Sequence, residues 1–260
     1  MFLLVRLDAR LMTGHFSQRM HGDAKQEAEM AQFPGGHHND DLKDVRARND
    51  RYAVRGVPNA LSCNTDKIDP REENFPIVCV GGSAGGLDAY IRLLQNLPAD
   101  IGVAIVIVNH ITTMPTHLHE VLPRFTTMTV ELITDCLSIE RNRVYIIPAN
   151  RDLHVEDGVF RLKPISKPRG WPDVITVFLR SLTCYWKGKL VAVIVSGYDG
   201  DGAAALCGIK EVGGITIAQK LSTARQPDMP ASAIDTGCID LVLSPEEIGQ
   251  EIARIAQLEV

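Results

Sequence analysis

Val78-Cys-Val-Gly-Gly-Ser-Ala-Gly-Gly-Leu-Asp-Ala89 joins an apolar run, a glycine-rich turn and the start of an amphipathic segment. The grammar is strand, tight turn, helix. Its chemistry depends on whether Gly81 to Gly86 cradle a phosphate or lift Ser83 out as a nucleophile. A dinucleotide fingerprint Gly-x-Gly-x-x-Gly needs a second glycine for close approach of the pyrophosphate, and Ser83 stands at that position. The fingerprint also needs an acid at the end of the second strand, where this chain has Asn109-His110. No Lys-Ser or Lys-Thr pair follows the glycines, which excludes a P-loop. Residues 81 to 85 instead match Gly-x-Ser-x-Gly, the turn that exposes a serine hydroxyl between strand and helix.

Outward from this turn, apolar runs alternate with amphipathic segments as in βαβ units. Strands are expected at 76–80, 101–109, 127–133, 143–148, 190–196, 215–219 and 239–243. Asp157-Gly158 between short alternating runs in 154–162 predicts a hairpin. Helices are expected after the glycine turn, with Leu87, Tyr90, Ile91, Leu94 and Leu97 on one face, and over 173–186, with Val174, Val177, Phe178, Leu182 and Tyr185 on one face. A further helix starts near Asp201 and stops at Gly213-Gly214. The last opens on Ser244-Pro245-Glu246-Glu247, a capping box with proline in the first turn. The sum is an α/β fold: a doubly wound, mostly parallel sheet with helices on both faces and an inserted antiparallel hairpin.

The chain has 260 residues, 45% of them hydrophobic, enough for one sizeable core with an appendage. Residues 1–74 are rich in charge, His, Asn and Gly and read as a polar, disordered N-terminal extension; the folded domain spans 75–260. A net charge of -5 without dense Lys or Arg runs argues against nucleic-acid binding. No apolar stretch approaches the roughly 20 residues of a membrane span, and the apolar start is too short for a signal peptide, so the expected location is cytoplasmic. The six cysteines, without CxxC pairs, read as reduced, buried thiols.

A nucleophile needs a base and an orienting acid at the same sheet edge. His110 follows the strand 101–109, and adjacent parallel strands bring Ser83 and His110 side by side. After the strand 190–196 come Asp199 and Asp201 among three glycines. The order Ser, His, Asp differs from that of α/β-hydrolases and disfavours that scaffold. A metal site from His110, His117 and His119 is disfavoured, because His117 and His119 cannot share a helix face; neither metal nor cofactor is expected. Gln219 and the stretch Thr223 to Pro230 follow a strand at the same edge and are candidates for shaping the cleft.

GGSAGGLDA, the strand ending in NH, RVYIIPANRDLHVEDG and the long segment from SGYDGDGAAAL to LVLSPEEI together resemble the catalytic domain of the bacterial chemotaxis protein-glutamate methylesterases, the CheB family. The similarity covers about residues 75–257. The resemblance implies a doubly wound sheet carrying a Ser-His-Asp triad. It also implies a serine hydrolase that removes methyl esters from glutamate side chains of chemoreceptors, often with deamidation of receptor glutamines. The implied partner is the cytoplasmic domain of a methyl-accepting chemoreceptor or another methylated signalling protein. Matched by motif, Ser83 is the nucleophile, His110 the base and Asp201 the acid. Ala84, Tyr198 and Gln219 belong to the oxyanion site and substrate cleft, with the Tyr198 amide as oxyanion donor. Tyr198 stands where the family has methionine, Asp199 where it usually has glycine, Asn109 where it has Gln, and Arg169-Gly170-Trp171-Pro172 where it has Arg-Pro-Ser. A leader of 74 residues is far shorter than a receiver domain, so control by aspartyl phosphorylation is not expected within this chain. Two other readings of the same fold are a non-catalytic signalling module and an esterase or amidase for a different substrate.

Overall fold

The computed structural model describes residues 75–110, 117–167 and 170–258; the expected N-terminal extension, residues 1–74, lies outside the described residues. Seven strands form one sheet: β1 (Ile77–Gly82), β2 (Ala104–Asn109), β3 (Thr129–Leu132), β4 (Arg143–Ile146), β7 (Leu190–Ile194), β8 (Ile215–Gln219) and β9 (Leu241–Leu243). Their spatial order is β3-β4-β2-β1-β7-β8-β9, and every pairing in it is parallel. The remaining strands, β5 (Arg151–Glu156) and β6 (Val159–Pro164), make the antiparallel hairpin. Its turn is Asp157-Gly158, both at positive φ (49° and 75°), the backbone twist that a two-residue hairpin loop needs.

The central strands β1, β2 and β7 are buried at every position because both faces are covered. Along β1, Ile77 and Cys79 join the core on one side, and Val78 and Val80 the core on the other. The first side is closed by α3 (Val174–Tyr185), α4 (Leu206–Glu211), α5 (Asp228–Asp235) and the hairpin, through Phe178, Leu179, Leu206, Ile209, Met229 and Phe160. The second is closed by α1 (Gly86–Leu94), α2 (Leu118–Val121) and α6 (Pro245–Leu258), through Tyr90, Leu93, Leu118, Ile248, Ile252 and Ile255. The α6 terminus forms as its sequence dictates. The Ser244 N–H donates to Glu247 Oε2 at 2.8 Å, and the Glu247 N–H reaches back to Ser244 Oγ at 3.4 Å.

This winding creates the crevice. β1 and β7 are neighbours, yet the chain leaves β1 into α1 on one face and leaves β7 toward α4 on the other. Loops that part to opposite faces leave an opening at the carboxyl ends of the two strands, the topological switch point of an α/β sheet.

Three expectations need correction. Leu87 and Tyr185, placed on buried helix faces by spacing alone, are exposed at the helix ends. The stretch Thr223 to Pro230, read only as following a strand at the cleft edge, is not all loop and already contains the start of α5. The cysteines are not all reduced: Cys79 is a buried free thiol and Cys184 an exposed one, but Cys207 in α4 and Cys238 just after α5 form a disulfide. The two lie 31 residues apart in sequence and their Cα atoms stand 5.2 Å apart, a proximity that only the tertiary fold produces.

Candidate active site

Gly82 is the register partner of Asn109, and Gly81 that of Ile194, so the residues after β1, β2 and β7 emerge together. The Ser83 N–H donates to the Ser196 carbonyl at 2.9 Å, and the His110 N–H donates to the Gly82 carbonyl at 2.8 Å. The turn closes when the Gly86 N–H donates to the Ser83 carbonyl at 3.0 Å, with Gly85 in the left-handed region at φ 77°. Ser83 is half-buried, and its hydroxyl donates to the main-chain carbonyl of His110 at 3.0 Å. The serine is thus held at the mouth of the crevice beside the histidine.

His110 Nδ1 lies 2.8 Å from Asp199 Oδ2. The approach is that of an ion pair, oblique to the line of an ideal N–H hydrogen bond. Asp199 raises the His110 pKa above the ordinary imidazole value against the opposing effect of burial, and the charges of Asp201 and Asp173 push the same way. Burial works to raise the Asp199 pKa, but the His110 ring and the Asp201 amide outweigh it and hold the carboxyl below its usual range.

Asp201, the acid implied by motif, is 5% exposed and sits at the head of α3. Its Oδ2 accepts the Ile175 N–H at 2.9 Å and its Oδ1 the Thr176 N–H at 3.0 Å. The Gly202 N–H donates to Thr176 Oγ1 at 2.9 Å and closes the junction. Desolvation raises the Asp201 pKa, and the two helix amides offset part of that rise. The structure therefore brings Ser83, His110 and both aspartates of the loop to one edge. Asp199, not Asp201, is the carboxylate at His110 Nδ1. The sequence signal for it was an aspartate where the resembling family has glycine.

Gln219 is 1% exposed and braces the crevice floor: its Oε1 accepts the Ser196 N–H at 2.9 Å, and its Nε2 donates to Thr223 Oγ1 at 3.2 Å. Ser196, which sequence reasoning did not single out, is the hub, since its Oγ accepts the Gln226 N–H at 2.9 Å and donates to the Ala84 carbonyl at 2.9 Å. Gly197 leaves room for its neighbours, because a Cβ there would force Met229 Sδ to move and come to 3.0 Å from Ser83 Cβ. Tyr198 is 54% exposed at the rim. Among the described residues, neither the Ala84 nor the Tyr198 N–H donates to a main-chain carbonyl, and Ala84 directly follows the serine in the turn. His117 and His119 both stand by Glu120, away from any grouping of three metal-ligating side chains among the described residues.

The family model described as CheB methylesterase matches residues 78–252. A relative from Leptospira interrogans serogroup Icterohaemorrhagiae serovar copenhageni is 32% identical over 186 residues, which are 71% of this chain and 96% of that protein. The protein-glutamate methylesterase/protein-glutamine glutaminase 2 of Carboxydothermus hydrogenoformans is 28% identical over 221 residues, covering 82% of this chain and 61% of the relative. The crystal structure of the Thermotoga maritima CheB methylesterase catalytic domain superposes with a TM-score of 0.64 at 28% identity, over 70% of this chain and 98% of that one. With the family model matching more than half of its length, the chain belongs to the CheB methylesterase family.

Proposed function

We propose that the chain is a protein-glutamate methylesterase that also deamidates glutamine, acting in the cytoplasm on the cytoplasmic domain of a chemoreceptor or another methylated signalling protein. The observation that supports it most is the placement of Ser83 on a tight turn at the switch point, at the same sheet edge as His110 and two carboxylates. In the reaction, the Ser83 hydroxyl turns from the His110 carbonyl to the imidazole and gives up its proton to Nε2. Its oxygen bonds to the ester carbonyl carbon, and the developing oxyanion takes the N–H groups of Ala84 and Tyr198. The C–O bond to the methoxy group breaks, and that oxygen leaves as methanol with the proton from Nε2. Water then adds to the acyl-enzyme through the same imidazole and releases the glutamate carboxylate and free Ser83. The sequence motif nominates Asp201 as the acid behind the imidazole, with Asp199 beside it in the same loop. Among the described residues, no helix is long and apolar enough to cross a membrane.

Methanol release from a methylated chemoreceptor cytoplasmic domain, by the wild type and by Ser83→Ala, tests the reading. Release that requires Ser83 supports it. Absence of release from a folded wild type overturns it.

A further inference from the structure

Arg225 is mounted beside the serine turn on a fixed backbone. The next residue is held twice: the Gln226 N–H donates to Ser196 Oγ at 2.9 Å, and the Gln226 carbonyl accepts the Gly197 N–H at 3.0 Å. The Arg225 stem lies against the turn, since a Cβ built on Gly85, two residues after Ser83, would stand 2.8 Å from Arg225 Cβ and 3.6 Å from its Cδ. Its head is unspent. The side chain is 69% exposed, and among the described residues the guanidinium makes no hydrogen bond. It comes only to 3.6 Å from Asp88 Oδ1, while the other Asp88 oxygen accepts from Arg92 Nη1 at 3.3 Å. Arg92 is the contrasting case, because both Glu246 oxygens hold it, at 2.7 and 2.9 Å.

The reaction centre has the opposite sign. The charges of Asp199, Asp201 and Asp173 all bear on His110. A carboxylate brought to Ser83 is repelled there, whereas a neutral ester or amide is not. A few residues away along a bound segment the preference reverses, because a guanidinium presents a planar fork of N–H donors that fits a carboxylate. We propose that Arg225 is a specificity-determining residue that takes a free carboxylate of the substrate, a few residues from the methyl ester or amide that reaches Ser83. The proposal deepens the esterase reading and rests on it: the substrate class becomes an acidic peptide segment carrying a neutral glutamyl ester or glutamine among free glutamates. Hydrolysis at one position makes a carboxylate, so it improves a neighbouring ester as a substrate.

The test uses peptides with one glutamate γ-methyl ester and with Glu, Ala or Lys placed in turn at the four positions on either side. Methanol release gives kcat and KM for the wild type, Arg225→Gln and Arg225→Glu. In the wild type, Glu at one or more of these positions raises kcat/KM over Ala by roughly 3- to 5-fold, as an exposed ion pair does, and acts through KM. Added salt shrinks that ratio. Arg225→Gln brings it to about one, and Arg225→Glu turns the preference toward Lys at the same position. A wild type indifferent to Glu at every position overturns the proposal, as does a Glu preference that Arg225→Gln leaves intact. If the wild type releases no methanol from any peptide, the esterase reading fails, and fluorescence anisotropy with the same peptides decides the role of Arg225. Tighter binding of Glu peptides that needs Arg225 supports it, and its absence overturns it.

Discussion

The hydroxyl of Ser196 donates to the carbonyl of Ala84 at 2.9 Å while accepting the Gln226 N–H at the same distance, so one side chain at the end of β7 ties the serine turn to the loop after β8. Ser196 itself is sealed from solvent, while its partners Ala84 and Gln226 are half-buried, so water can replace part of what its loss removes. Ser196→Ala leaves a donor and an acceptor unpaired, at about 1–3 kcal/mol each where no water reaches them. The expected outcome is a lower urea midpoint together with a drop in kcat, because Ser83 is no longer fixed against its neighbours. Valid data require activity to be measured well below the unfolding transition.

The ion pair of His110 and Asp199 sets a pH window for stability. The imidazole pKa is raised by its carboxylate partner, so its contribution is full below the unfolded value of about 6.5 and is lost as pH rises through the higher folded value. The carboxyl pKa is lowered, so its contribution is full above about 3.9 and is lost as pH falls through the folded value. Between these limits the pair is worth most. Urea unfolding of the wild type and Asp199→Asn should therefore differ more at pH 5.5 than at pH 8.5, while ester turnover in the wild type rises across that interval as the base loses its proton. An equal difference at both pH values contradicts the pairing.

Gly85 and Gly102 separate backbone strain from crowding. Both have positive φ, 77° and 88°, but a Cβ on Gly85 meets Ser196 Oγ at 2.6 Å and Arg225 Cβ at 2.8 Å, whereas one on Gly102 meets nothing within 4 Å. Gly102→Ala should cost only the left-handed backbone, about 1–2 kcal/mol, with activity retained. Gly85→Ala should cost more than that and abolish turnover, because Ser196 must move from the Ala84 carbonyl to make room. Thermal unfolding of the two variants side by side gives the comparison.

Much of this was legible from local chemistry. The apolar runs of β1, β2, β7 and β8 read directly as strands because both faces of the sheet are covered, and Asp157-Gly158 and Ser244-Pro245-Glu246-Glu247 name their turn and cap by residue type alone. Register then followed from parallel pairing, which brought Ser83 and His110 together. What stayed hidden depends on distances across the fold. Asp199 and Asp201 are indistinguishable as a sequence of acids among glycines, and only the position of the α3 amides decides which one is consumed by a helix end. Ser196 looked like the last residue of a strand, and its role appears only where β7, the serine turn and the loop after β8 meet. Cys207 and Cys238 share no motif, since their pairing is a property of α4 and the segment after α5 brought together.

That disulfide gives a prediction independent of the site's chemistry. Cys207 and Cys238 close a segment with a sequence separation of 31, which contains β8 and α5 and hence both Gln219 and Met229. In the chain-entropy model a loop of this length restrains the unfolded state by about 3–4 kcal/mol. The Met229 N–H donates to the Gly197 carbonyl at 3.0 Å, so the folded position of α5 bears on the residue next to the serine. The double variant Cys207→Ser/Cys238→Ser should unfold at lower urea with a steeper dependence on denaturant, because its unfolded chain exposes more surface. Below its transition it should keep the wild-type reactivity of Ser83 toward an acylating probe, since the native contacts around Gly197 remain. A midpoint equal to that of the wild type would mean the crosslink adds nothing to stability, and a loss of Ser83 reactivity without unfolding would mean that α5 needs the crosslink to hold the crevice.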